Sequence, residues 1–223
     1  MRSTLRAVLA LATAAALASG CGPAGDDWSQ PRPAPTAMGS VGPGFVDPGS
    51  SPTPEGTITP APGSWNGVHP GSGYRVVLLT AGTDDPTRAL VKAVQDWAAA
   101  ERVDLRTVTA PANDLVSGIT EAIDLHPDLI VSAGNTLVDP LAVVTASHLS
   151  QQFLVVGAEL AEPTANVTAA DWSGASYRGE GLGMSSTYDA ASFTPQRCEA
   201  AIRAGAAAVL TGWTGIVLWL DKV

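Results

Sequence analysis

The sequence predicts a doubly wound α/β layer: one mainly parallel sheet with helices on both faces, from Gly73 to Val223. Two observations carry this. Runs such as Arg75–Thr80 and Phe153–Val156 are apolar without polar alternation, the mark of strands buried on both faces. These runs also alternate with segments whose apolar residues recur at helical spacing, and alternating strands and helices build parallel sheets.

The elements follow in order. Arg75 to Thr80 reads as the first strand, and Ala81-Gly82-Thr83-Asp84-Asp85 breaks it. Asp85-Pro86 predicts a helix start, with the aspartate as cap and proline at the first helical position. Leu90, Val91, Val94, Trp97 and Ala98 then fall on one face. Asp104 to Thr109 reads as strand and Asp114 to Leu125 as helix, stopped by His126-Pro127. Leu129 to Ser132 is the third strand, Pro140 to Leu149 the third helix and Phe153 to Val156 the fourth strand. Asn166 to Ala170 is a short fifth strand, Pro195 to Leu210 an Ala-rich helix and Ile216 to Leu220 a final strand. A membrane-spanning helix over Ala200–Leu220 is the competing reading of the C-terminal stretch. Arg203 and the glycines 205, 212 and 215 speak against it.

Before Gly73 the composition changes. Gly22 to Gly71 holds 11 of the 17 prolines and 10 of the 23 glycines, with no helix or strand period. Such a stretch reads as a disordered, proline-stiffened tether over residues 21–72. Fully extended at about 3.1 Å per residue it would reach on the order of 150 Å. Trp28, Phe45 and Trp65 are the alternative reading, as points where this segment docks.

The first twenty residues combine Arg2 and Arg6, a short apolar run from Ala7 to Leu17, and small residues at Ala18, Ser19 and Gly20. This is the layout of a signal peptide, too short in its apolar part to span a bilayer. Cys21 follows directly, and Leu17-Ala18-Ser19-Gly20-Cys21 resembles the lipobox of bacterial lipoproteins. The resemblance implies cleavage before Cys21, acylation of its thiol, and a place on the outer face of the cell membrane. An acylated Cys21 leaves Cys198 without a disulfide partner. The formal charge of −9 argues against nucleic acid and against binding anionic lipid through a basic patch.

Several segments together meet a known family: His126-Pro127-Asp128-Leu129-Ile130-Val131, Ala133-Gly134-Asn135, Leu137-Val138-Asp139, Gln152 to Gly157 and Asn166-Val167-Thr168. Their order resembles the first lobe of the basic membrane protein, or purine nucleoside receptor-like, substrate-binding lipoproteins of ABC importers. The resemblance covers roughly residues 73–171 and implies one Rossmann-like lobe of the type I periplasmic-binding-protein fold. It implies a non-catalytic solute receptor with a nucleoside or sugar as ligand and an ABC permease as partner. The chain departs from that family in having no evident second lobe, and in a short first loop, Gly82-Thr83-Asp84-Asp85-Pro86, without an aromatic residue.

Ligands of open α/β sheets sit beyond the carboxyl ends of the strands. The polar residues expected there are Asp84 and Asp85, Asn135 and Asp139, Glu159, and Asp171 with Trp172. Four carboxylate-bearing loops make an acidic shelf suited to a cationic or polyhydroxylated solute, with Trp172 to stack on a flat ring. Each has a plainer role open to it, Asp84, Asp85 and Asp139 as helix caps and Trp172 as a plug at the sheet edge. No cofactor is expected, because no metal-ligand spacing, nucleophile elbow or strand-following glycine-rich phosphate loop is present. Gly179-Glu180-Gly181-Leu182-Gly183 reads as a mobile loop. The rival reading is a single-lobe interaction module that docks on an envelope protein and holds no small ligand.

Overall fold

The structure, a computed structural model, describes residues 28–30, 32, 33, 35–49 and 51–223. The signal peptide and Cys21 lie outside the described residues. Among the described residues nine strands form: β1 Met38–Gly39, β2 Thr57–Ile58, β3 Val68–His69, β4 Arg75–Thr80, β5 Asp104–Thr109, β6 Leu129–Ala133, β7 Phe153–Val156, β8 Val167–Asp171 and β9 Val217–Trp219. Four α-helices accompany them: α1 Asp85–Glu101, α2 Leu115–Asp124, α3 Val138–Val144 and α4 Pro195–Leu210. Seven strands make one sheet in the order β2-β9-β8-β7-β6-β4-β5, and all its pairings are parallel. The predicted α/β class is the observed one.

Caps and breakers set the helix ends. Asp84, one residue earlier than expected, caps α1 by accepting from the Thr87 N–H at 2.9 Å, and Pro86 sits within the first turn. Arg102 closes α1 in the left-handed region, at φ 57°. Asp114 caps α2, and Thr194 caps α4 ahead of Pro195. Helix α3 stops at Val144, short of the expected Leu149, and a single 3-10 turn follows over Thr145–Ser147. Asn166 explains the early stop. Its side-chain amide reaches the carbonyls of Thr145, His148 and Gln151 at 3.2, 3.1 and 2.9 Å, which ties them in a loop instead of a helix.

Strands buried on both faces need cover on both. Helices α1 and α4 pack with Val76, Leu78, Val131 and Leu154 on one face. Leucine and isoleucine positions of α2 and α3, led by Ile119 and Leu141, pack with Val77, Leu79, Ile130 and Phe153 on the other. The closeness of α4 to β7 depends on Gly205, where a Cβ would stand 2.4 Å from Leu154 Cδ1. The chain steps one way across the sheet through α1 and the opposite way through α4, yet both helices lie on the same face. The β8–α4–β9 crossover therefore has the hand opposite to β4–α1–β5. That is a rare exception among parallel crossovers, and the chain makes it by passing over the strand tips between Trp172 and Thr194. Among the described residues no helix is long and apolar enough to cross a membrane; the stretch 200–220 is most of α4, a turn and β9.

The segment expected to be a disordered tether is the main correction. Strand β2 adds to the sheet edge beside β9, with Thr57 opposite Val217. Strands β1 and β3 form a small antiparallel pair. Phe45, Trp65 and Val68 are buried in the α1/α4 core, and Trp28 joins the opposite one. The aromatic residues supply the apolar area that the Pro- and Gly-rich composition hides, so the alternative reading of Trp28, Phe45 and Trp65 as docking points describes what forms. His69 of β3 adds a polar fastening, its Nδ1 2.9 Å from Glu101 Oε2, and Arg203 of α4 pairs with the same carboxylate at 3.2 Å.

Phe45→Ala should then lower unfolding free energy by about 3–5 kcal/mol, the usual cost of emptying a buried phenylalanine site. Chemical denaturation of the full mature chain reads this; a change below about 1 kcal/mol would mean the segment rests on the domain without contributing to its core.

Candidate functional site

The sheet fixes where a site can form. Strands β5 and β6 flank β4 on opposite sides, so the chain reverses direction across the sheet there. Loops leaving the carboxyl ends of β4 and β6 diverge, one toward α1 and one toward α3, and open a crevice between them. Its walls are Asp84, Pro86, Thr87 and Leu90 on the α1 side and Gly134, Asn135 and Thr136 after β6. Tyr188 and Phe193 close it from above, leaving about 100 Å³. Gly134 has φ 113°, and a Cβ there would meet Ala81 O and Thr87 Oγ1 at 3.0 Å, so glycine is what lets the two loops approach.

Of the seven residues expected to line a shelf, Asp84 and Asn135 reach this cleft. Burial acts to raise the Asp84 carboxyl, but the Thr87 N–H and hydroxyl and the Arg88 charge outweigh it and hold the carboxyl below its ordinary range. It accepts from Thr87 Oγ1 at 2.7 Å. Asp85 points to solvent and pairs with Arg88.

The other four are used by the chain itself. Trp172 to Thr194 runs over the strand tips as a roof, and each expected ligand group holds part of it. Asp139 accepts from the Glu180 N–H at 3.1 Å and from the Tyr177 hydroxyl at 3.4 Å. Glu159 pairs with Arg178 at 3.0 Å; burial raises its carboxyl and Arg178 opposes this. Trp172 is fully buried, donates from Nε1 to Ser192 Oγ at 3.0 Å and meets Phe193 edge-on at 5.0 Å between ring centres. Gly157 makes room for Phe193, since a Cβ there would lie 2.6 Å from Phe193 Cε1.

Asp171, at the end of β8, is the centre of the roof. It has no exposed surface, and its Oδ1 accepts from the N–H groups of Trp172 and Ser176 at 2.8 and 2.9 Å. Its Oδ2 is buried with no hydrogen-bond partner among the described residues. Burial pushes the carboxyl up to about 7 against those two donors, with help from the charges of Glu159 and Asp221. The expected open acidic shelf is therefore a covered face, with one small cleft at its switch point.

Sequence reading missed Thr136, Tyr188 and Phe193 as cleft residues. Tyr188 and Phe193 lie in a Ser- and Gly-rich stretch without period, and nothing local says that it folds back over β4 and β6. Among the described residues no group of three or more His, Cys, Asp or Glu side chains could hold a metal ion. Cys198 is buried in the core, which pushes its thiol up to about 11 and keeps it inert.

No family model matches this sequence, and no curated protein is similar enough to count as a relative. Among solved structures the chain is similar to an ABC transporter solute-binding protein from Aeropyrum pernix K1, at 20% identity and TM-score 0.39, over 45% of this chain and 29% of that one. A lipoprotein fragment from Peptoclostridium difficile 630 matches at 16% identity and TM-score 0.44, over 60% of this chain and 95% of that one. A solute-binding protein of an ABC transporter system from Conexibacter woesei DSM 14684 matches at 15% identity and TM-score 0.38, over 45% and 36%. The chain thus spans about a third of the length of two of these proteins. At these identities and scores the likeness assigns no function to this chain.

Asp171 makes stability pH-dependent with a definite sign. Its folded pKa, about 7, lies above the unfolded value near 3.8, so the folded state holds the proton more tightly. This contribution is fully present below pH ~4 and is lost as pH rises to ~7. Asp171→Asn keeps an Oδ1 acceptor and removes the titration. Melting temperatures of the variant should fall less than wild type between pH 5 and 8; parallel curves would show that Asp171 does not titrate in this window.

Proposed function

We propose that this chain is an extracytoplasmic, lipid-anchored, non-catalytic binding protein whose α/β lobe receives one polar end of a small solute in the β4/β6 cleft. One observation carries the reading. The cleft lies at the point where strand order reverses, and Asn135 and Thr136 line it opposite Asp84 and Thr87. A cavity of about 100 Å³ is below the several hundred Å³ that enclose a whole drug-sized ligand. It suits a terminal amine or hydroxymethyl group, with Asp84 as acceptor and the Tyr188 and Phe193 rings against the attached carbons. The amide and carboxylate favour a cationic or polyhydroxylated end over a phosphate. The basic membrane protein subtype, a nucleoside or sugar ligand, and delivery to an ABC permease extend this reading from the sequence resemblance. So does the anchor at Cys21.

A second reading has its own support. Leu182, Met184 and Tyr188 on the roof are 50%, 44% and 40% exposed, and large apolar side chains grouped on one loop favour contact with an envelope protein.

A thermal-shift screen of the full mature chain against nucleosides, sugars and amines separates the two. The solute reading expects at least one upward shift that Asn135→Ala abolishes. No shift with any of these classes, or a shift that survives in both Asn135→Ala and Thr136→Val, would overturn it and leave the interaction module.

A further inference from the structure

Trp28 sits where the amino ends of three adjacent strands, β4, β5 and β6, meet. Its indole Nε1 donates to Oδ2 of Asp104, the first residue of β5, at 2.7 Å. Arg75, the first residue of β4, donates to the Trp28 carbonyl at 2.9 Å and lies over the ring at 5.5 Å. Arg106 lies over the ring at 4.4 Å. Arg32 pairs with Asp128, just before β6, and Asp128 also accepts from the Arg75 N–H at 2.7 Å. Only 4% of the Trp28 surface stays exposed. This is a clamp built from hydrogen bonds, cation–π contacts and an ion pair, and it grips the end of the sheet opposite the cleft.

We infer that this clamp fixes which end of the domain meets the membrane: the amino ends of β4–β6 face the bilayer, and the switch-point cleft faces away from it. The inference rests on the reading of Cys21 as the lipid-bearing residue. Seven residue steps separate Cys21 from Trp28, and at up to ~3.6 Å each they reach about 25 Å. A compact chain of this size is roughly 40 Å across. To turn the cleft toward the bilayer, the leash would have to pass from pole to pole around the surface, a path longer than that diameter. It is too short. With the leash starting at residue 72 instead, the same domain could take any orientation. The clamp thus keeps the amino ends of β4–β6 within about 25 Å of the anchored cysteine, and it leaves the roof and cleft open to the outside.

Energy transfer to the bilayer tests this. The mature lipoprotein is reconstituted into phosphatidylglycerol/phosphatidylcholine vesicles carrying an acceptor-labelled lipid. A donor is placed on Asp124→Cys at the amino end or on Ser185→Cys on the roof; both positions are exposed, and Cys198 is buried. Transfer from position 124 should exceed transfer from position 185. Inserting about 20 Gly/Ser residues after residue 27, a coil of roughly 25 Å added reach, should abolish the difference without touching the fold. Equal transfer from both positions in the unaltered chain, or the same difference with the insert, overturns the orientation. Flotation of the unlabelled chain with vesicles, compared with Cys21→Ser, reads the anchor separately: no flotation overturns the anchor and the orientation together, whereas flotation with equal transfer overturns the orientation alone.

Discussion

An all-parallel sheet with apolar residues on both faces can leave neither face to water, and the rest of this molecule answers that constraint. Helices α2 and α3 cover one face through Ile119 and Leu141. Helix α1 alone does not cover the other, because β7, β8 and β9 extend the sheet beyond it. Helix α4 has to reach that same face, and the chain arrives there only by crossing the strand tips. The roof from Trp172 to Thr194 and the reversed crossover are two results of one demand. The demand also recruits the N-terminal segment, whose β2 pairs with the exposed edge of β9 and whose Phe45 and Trp65 complete the α1/α4 core.

The roof changes the meaning of the acidic residues at the strand ends. A carboxylate at a strand tip is a ligand group when water or a solute faces it. Here backbone N–H groups of a passing segment face it first. Asp171 is the clearest case: two N–H donors on one oxygen and, among the described residues, no partner on the other leave a buried carboxyl that is pushed up to about 7. Exposed Asp139 and buried Glu159 hold the same segment, through the Glu180 N–H and the Arg178 guanidinium. The proposed binding chemistry is then assigned to the cleft that the roof leaves open between the β4 and β6 loops.

The two ends of the sheet are thereby given different tasks. The carboxyl ends carry the cleft and exposed apolar side chains. The amino ends carry the Trp28 clamp, in which Arg75, Asp104 and Asp128 are each the first residue of a strand or its neighbour. Charged residues tolerate these positions because strand starts lie at the sheet margin, where their polar heads reach water and one another.

The sequence by itself determined the α/β class, most element boundaries within a residue or two, and the start of α1 to within one residue of its cap at Asp84. These depend on local signals: unbroken apolar runs, helical spacing, and aspartates ahead of a first turn. It also pointed to Asp84 and Asn135, because loops after parallel strands must lie at one end of the sheet. Tertiary structure alone decided the rest. A Pro- and Gly-rich segment folds because Trp28, Phe45 and Trp65 find distant partners, which composition cannot show. Asp139, Glu159, Asp171 and Trp172 became supports for a roof because a segment up to 41 residues away in the chain lies across them. Whether a polar side chain meets solvent or another part of the backbone is a long-range fact, and no local pattern encodes it.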